Sequence, residues 1–262
     1  MGKDHILKPG AELPDDTIIW RYMTYATFAR MLFGHSIFFR RACKFTDPWE
    51  GRFPPSFFRN SDQDIETLEH FERIIRGHRY AHFYSCWHMS DCESDAMWKG
   101  YCLGTEGIAV QSTVGRIRDC VTIDGGGPVI YFDPAANVRT EGVFAVDYGL
   151  FKRNCFAHER EYRVKVVDDD LFESIQRGER PDERNLTDGI DRGISDIQHL
   201  ITAIVVAPGS KRWFRDLVEN TCAQINRRTL CPLIRRSSTD ESWEDHAFRW
   251  PVSVIEDMQA PD

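Results

Sequence analysis

"HEREYRVKV", residues 158–166, is the stretch on which the reading of this chain turns. Its apolar residues fall on every second position, Tyr162, Val164 and Val166, which is the period of a strand with one face in a core. Alternate side chains of a strand share a face, roughly 6.5 to 7 Å apart along the chain. A strand that starts at Glu159 therefore sets Glu159 and Glu161 side by side on the face away from the core, with Arg163 next in the row.

The segments around it alternate in the same way. "TIIWRYM" (17–23), "SIFFRR" (36–41), "YAHFYSCW" (80–87), "GIAVQS" (107–112), "LITAIVVAPGS" (200–210) and "CPLIRRSS" (231–238) read as strands from their β-branched and aromatic content. Helices are expected over 27–36, over 63–77 from the stripe Ile65, Leu68, Phe71, Ile74 and Ile75, over 93–102 behind a Ser90 or Ser94 cap, and over 211–228. "FTDPWEGRFPP" (45–55) is an ordered loop because its prolines prevent regular pairing, "DGGGP" (124–128) is a turn into a strand, and 177–193 is a polar connection. Few of the strands follow a strand-helix-strand rhythm, so the expected class is α+β, with residues 1–262 forming a single domain.

Bulk composition narrows the function. The 262 residues, 42% of them hydrophobic, can bury a sizeable core. No apolar run is long enough to span a bilayer, and "MGKDHILKPG" lacks a signal-peptide core, so the expectation is a soluble, cytoplasmic chain without a membrane partner. The eight cysteines are scattered singly and read as reduced. A net charge of −8 argues against broad attraction to nucleic acid but permits a local basic groove, for which Arg40, Arg41 and Lys44, Arg73, Arg76 and Arg79, and Arg227, Arg228, Arg235 and Arg236 are the candidate clusters.

Three strands carry the unusual residues: Arg21 between Trp20 and Tyr22, Ser85 after Phe83 and Tyr84, and Glu159 with Glu161. This order resembles the arginine, serine, glutamate class of ADP-ribosyltransferases. A closer resemblance is to a bacterial family of domains without an assigned function, which shares "TDPWEG" (46–51), "MWKGY" followed by Gly107, and the spacing Phe156, Glu159, Glu161, Arg163, with Phe156 where that family has tryptophan. The resemblance covers about residues 18–165. It implies an ADP-ribosyltransferase-like fold of two packed, mainly antiparallel sheets flanked by helices and forming a cleft for NAD. It also implies transfer of ADP-ribose from NAD to a macromolecular acceptor, and the role of a bacterial toxin in a toxin-antitoxin or antiviral system, with an antitoxin as possible partner.

The same resemblance distributes the roles. Glu161 would stay ionised beside the ribose, Glu159 would orient or activate the acceptor, Ser85 would position Glu161 or the ribose, Arg21 would hold the NAD pyrophosphate, and its neighbour Tyr22 would be a further NAD contact. Chemistry makes sense of these types. Splitting the glycosidic bond of NAD leaves an oxocarbenium-like ribose that a carboxylate stabilises, and a guanidinium fork matches phosphate oxygens. Two close carboxylates push their titrations apart, so one can serve as base while Arg163 keeps the other charged. Trp98 and Tyr101, one helical turn apart, could offer an aromatic face to nicotinamide, although core packing explains that spacing as well. As acceptor, nucleic acid, RNA in particular, is favoured slightly over protein, because of the arginine clusters and the aromatic side chains His78, Tyr80 and Trp49.

Other readings stay open. Taken alone, Glu159 and Glu161 fit a solvated strand face paired with arginines. Cys86, His88 and Cys92, with His82, are zinc-ligand types at a spacing that fits no common module, so no metal is expected. Asp47, Glu50, Glu159 and Glu161 could hold magnesium in a nuclease, although Asp47 and Glu50 also suit capping of the proline-containing turn. A noncatalytic binding module on the same fold is the third alternative.

Overall fold

The computed structural model describes residues 5–7, 13–52, 65–102, 104–135, 138–140 and 147–240. In chain order its elements are β1 His5–Leu7, β2 Ile18–Thr24, α1 Tyr25–Gly34, β3 Ser36–Arg41, α2 Ile65–Ala81, β4 His82–Met89, α3 Asp95–Tyr101, β5 Gly107–Thr113 and α4 Val114–Cys120. They continue with β6 Gly125–Pro128, β7 Ile130–Phe132, β8 Val138–Thr140, β9 Phe151–Arg153, β10 Glu161–Val167, α5 Asp169–Gln176, β11 Gly189–Gly193, α6 Ile197–Leu200, β12 Ala203–Val206, α7 Arg212–Leu230 and β13 Ile234–Arg236. No helix among the described residues is long and apolar enough to cross a membrane. Part of the loop expected over 45–55, from residue 53 on, lies outside the described residues.

Nine of the strands join one branched sheet, and β1 with β8 and β7 with β9 form two small parallel pairs. The chain is a mixture of sheets and helices, as expected. The two expected sheets, however, are two arms of one hydrogen-bonded network that share β4. Along one edge β4 pairs with β10 over its whole length, from Glu161 opposite His88 to Val167 opposite His82. Its other edge is divided. β2 takes only the far end, at His88 and Met89, while β3 takes Phe83 and Tyr84. Beyond the division one arm runs β2, β5, β12, β13 and the other runs β3, β11.

One face of this sheet is covered by helices. Ile19 and Met23 of β2, Phe83 and Trp87 of β4, and Tyr162, Val164 and Val166 of β10 pack in one cluster with Phe28, Met31 and Leu32 of α1 and Phe214, Val218 and Cys222 of α7. Full burial of such side chains contributes about 1.5–3 kcal/mol each, which fixes the register of β10. On the reverse face of β2 and β5, α3 sets Met97 and Trp98 against Trp20, Tyr22 and Ala109. Ser94 caps α3 by accepting from Met97 N, and the Ser94 N–H donates to the Tyr22 hydroxyl at 2.8 Å, so this helix is tied to β2 from its first turn.

Three local expectations are corrected. The strand of the opening stretch begins at Glu161, because Asn154–Glu159 winds as a 3-10 turn that ends on Arg160 with a left-handed backbone (φ 40°). "DGGGP" is itself a strand: Gly125–Pro128 pairs antiparallel with β10. The polar connection 177–193 ends in β11, whose partner is the distant β3. Val114–Cys120, for which the sequence suggested no element, forms a helix capped by Thr113. In the last two, pairing and capping partners override weak local propensity.

Gly126 of β6 lies so close to β10 that a Cβ would collide with the Arg163 carbonyl oxygen. Gly126→Ala is expected to destabilise the chain by about 1–3 kcal/mol in urea unfolding, through overpacking against backbone that cannot yield.

Candidate active site

Between the two arms, Ser85, Cys86 and Trp87 of β4 have no ladder partner among the described residues on the divided edge. Arg21 of β2 spans this gap. Its guanidinium donates to Ser85 Oγ at 2.7 Å and to the Phe38 carbonyl of β3 at 3.0 Å, and lies 5.8 Å from the centre of the Trp87 ring. Among the described residues it meets no carboxylate. Burial lowers its pKa to about 10, with the Cys86 sulfur pulling the other way, so the group is still a cation at neutral pH. A half-buried cation held by neutral oxygens keeps its charge available to an anion.

Arg21 borders a cavity of about 500 Å³, within the range of small-molecule sites. Tyr22, Arg40, Tyr101, Phe156, Glu159 and Glu161 also line it. Ser85 is 1% exposed and spends its hydroxyl on Arg21; Glu161 projects from the opposite face of the sheet. Trp98 is buried in the α3 cluster, edge-on to Tyr22 at 4.9 Å, with its indole N–H on Glu93, and does not reach the cavity. Tyr101, one turn further on, does.

The cavity floor is a buried set of five charges. Lys152 Nζ lies 2.5 Å from Glu159 Oε2, 2.6 Å from Glu161 Oε1 and 3.5 Å from Glu50 Oε1. Arg163 donates through Nε to Glu161 at 2.6 Å, through one terminal nitrogen to Glu50 at 2.7 Å, and through the other to the Gly149 carbonyl at 2.5 Å. The backbone is pinned too: Glu161 N donates to the Tyr131 hydroxyl, and His88 Nδ1 meets the Glu159 carbonyl oxygen at 2.6 Å. Glu159 and Glu161 thus converge although they do not share a strand, because Lys152 draws both carboxylates to one ammonium.

Their titrations separate. Burial raises the Glu159 carboxyl to about 7, helped by hydrogen bonding to Glu161 and by its charge. Burial would raise Glu161 as well, but the charge of Arg163, the hydrogen bond with Glu159 and the charge of Lys152 outweigh it and hold Glu161 well below the ordinary carboxylate range. Lys152 is held charged because Glu161 and Glu50 more than offset its own burial. Near neutral pH one carboxylate is therefore fixed as an anion, while its neighbour is able to take or give a proton.

Sequence reasoning missed Lys152 and Tyr131, weighed His88 only as a zinc ligand, and offered Glu50 as a turn cap or a magnesium ligand where the structure puts it on Arg163. Asp47 does cap, accepting from Trp49 N at 3.1 Å, and is also gripped by both Nε and a terminal nitrogen of Arg153. Arg41 is buried on the Tyr80 and Thr187 carbonyls rather than displayed in a basic cluster, and His78 turns inward against Tyr148 and Phe172. The zinc-ligand types are dispersed: His88 is held by Glu159, Cys92 is exposed and His82 faces His78. Where a nuclease would bind magnesium between Glu50, Glu159 and Glu161, Lys152 and Arg163 supply the positive charge.

No family model matches the sequence, and no curated protein matches it. Among solved structures, DarT from Thermus sp. 2.9 in complex with ADP-ribosylated ssDNA shows a likeness at 10% identity and a TM-score of 0.32, covering 87% of this chain and 95% of that one. A superposition that loose settles neither fold nor chemistry, which rest on the residues above.

Lys152→Met removes the ammonium that three carboxylates share. A loss of about 3–5 kcal/mol is expected in urea unfolding, because the carboxylates stay behind uncompensated. Glu159 gives a second signature. Its folded-state pKa lies above the unfolded value of about 4.3, so between about pH 4.3 and 7 the folded chain holds a proton that the unfolded chain has lost, and stability falls as pH rises through that window. Glu159→Gln is expected to flatten this slope when unfolding is measured from pH 5 to pH 8.

Proposed function

We propose that the chain is an NAD-dependent ADP-ribosyltransferase whose cavity holds NAD between Arg21 and Glu161. One observation carries this reading: a cation that meets no carboxylate among the described residues and a firmly ionised carboxylate border the same cavity, at the gap between the two arms of the sheet. The planar fork of Arg21 suits pyrophosphate oxygens, and Tyr22 and Tyr101 add aromatic wall for nicotinamide or ribose. Each Glu161 oxygen takes one cation and has acceptor capacity left for a ribose hydroxyl. As the bond from ribose C1′ to nicotinamide nitrogen breaks, its electron pair leaves with nicotinamide and positive charge grows on the ribose beside Glu161. The acceptor nucleophile then bonds C1′ and gives its proton to Glu159, whose pKa near 7 suits a general base. In this reading Ser85 acts by holding Arg21, and Trp98 by backing Tyr22.

A macromolecular acceptor, with nucleic acid and RNA favoured, fits the mouth of the cavity. Tyr101 is 45% exposed there, Arg40 lies on its wall, and Arg153 sits within 6 Å of the Trp49 and Phe156 rings. Aromatic faces next to guanidinium groups suit unpaired bases and their phosphates.

The test is to incubate the purified chain with NAD labelled in the adenosine, offering RNA, single-stranded DNA and protein, and to read nicotinamide release and labelled acceptor side by side. Glu161→Gln is expected to lower both by about 10²-fold or more. Arg21→Lys weakens NAD binding while the fold survives. Glu159→Gln loses transfer yet keeps appreciable hydrolysis, and it lacks the rise in transfer that the parent chain shows as pH increases through about 7. Full nicotinamide release by Glu161→Gln would overturn the mechanism and leave the five charges a structural brace.

A further inference from the structure

A second polar cluster lies behind the cavity, outside the proposed chemistry. His78 stands in the last turn of α2 and His82 one helical turn later, as the first residue of β4. Asp147 caps the turn Tyr148–Leu150 by accepting from Gly149 N at 3.0 Å. Nδ1 of His78 lies 3.2 Å from Nδ1 of His82, and the two are 3.8 and 3.9 Å from Asp147 Oδ1. Tyr148 and Phe172 wall the group, and the side chains of His82 and His78 are 5% and 15% exposed.

Hydrogen bonds satisfy this arrangement poorly. His82 Nδ1 is 3.2 Å from both His78 Nδ1 and the Tyr84 hydroxyl, and the Tyr84 proton is committed to Asp147 Oδ1 at 2.6 Å. His82 Nδ1 has one in-plane direction for two partners: as an N–H it must be shared between the Tyr84 oxygen and the His78 lone pair, and as a lone pair accepting from His78 it faces the Tyr84 oxygen, whose proton is on Asp147. A cation placed between the imidazoles takes both lone pairs at once. In a tetrahedral zinc site with Zn–N distances of about 2.0–2.1 Å, ligand nitrogens lie about 3.3 Å apart, close to the separation here, and Asp147 would need to close in by about half an ångström.

We propose that His78, His82 and Asp147 form a binding site for a borderline transition-metal dication of the zinc type. Two imidazoles and one carboxylate suit that class better than magnesium or calcium, which prefer oxygen ligands alone. Tyr84 and Gly149 N hold the carboxylate from outside the ligand set. Lys165 Nζ, 2.9 Å from Asp147 Oδ2, takes the far oxygen and opposes the added charge, which sets a ceiling on affinity. The bound ion would fasten the junction of α2 and β4 to the segment 147–153, which delivers the Gly149 carbonyl to Arg163 and Lys152 to the two glutamates. Its role is to brace the cavity floor, and the site stands whether or not the cavity binds NAD.

The full chain, stripped with chelator, is titrated with zinc chloride and separately with cobalt chloride as spectroscopic probe. The expected result is one equivalent of bound metal, a higher Tm with zinc, and cobalt ligand-field bands of tetrahedral strength without thiolate charge-transfer bands. His78→Gln is expected to lose both the stoichiometric binding and the rise in Tm, and Cys92→Ser to keep them. Absence of stoichiometric binding by the parent chain, thiolate bands in the cobalt spectrum, or undiminished binding by a folded His78→Gln overturns the proposal; the first two readings need no variant to fold.

Discussion

Arg163, a guanidinium with no solvent exposure, is the piece on which the site depends. Its donors reach Glu161 on its own strand, Glu50 on the turn after β3, and the Gly149 carbonyl on the segment before β9. A charge taken this far from water is tolerated only when its hydrogen-bonding capacity is met, so these three parts of the chain are held at fixed positions around it. Lys152 completes the arrangement from the far side, and together they keep Glu161 ionised while leaving Glu159 to titrate.

The sheet makes room for this by dividing. If β2 and β3 both paired along β4, they would compete for the same edge. β2 takes one end and β3 the other, and the middle of β4 is left facing a gap. Arg21 bridges it with two hydrogen bonds, so the group that ties the two arms together is also a cation on the border of the cavity. Ser85 then has a clear physical task, since its hydroxyl spares the guanidinium an unsatisfied donor without cancelling its charge.

Much of the scaffold was legible in the sequence. Period-two alternation at Tyr162, Val164 and Val166 located the core face of β10, and the aromatic runs located β2 and β4, because burial of one strand face is written locally. The mutual effect of two close acids and a neighbouring arginine was legible as well, since like charges drive titrations apart wherever they meet. Glu159 was misplaced on the strand because nothing in "AHER" announces a left-handed turn at Arg160; the partners that impose it, His88 and Lys152, come from other elements. The polar β11 and the glycine strand β6 were missed for the same reason, since their pairing partners β3 and β10 supply what their own side chains lack.

The sequence by itself determined the class of fold, the buried face of each principal strand and the residue types able to carry charge. Only the tertiary structure decided which charges meet. It put Lys152 between two glutamates, moved Glu50 from a turn to a buried pair, turned Trp98 into a core and Tyr101 toward the cavity, and brought His78 and His82 to Asp147 while separating His82 from the cysteines. The reason is physical. Hydrophobic periodicity depends on neighbours a few residues away, whereas the energy of a buried charge depends on every charge and dipole around it, wherever along the chain they arise.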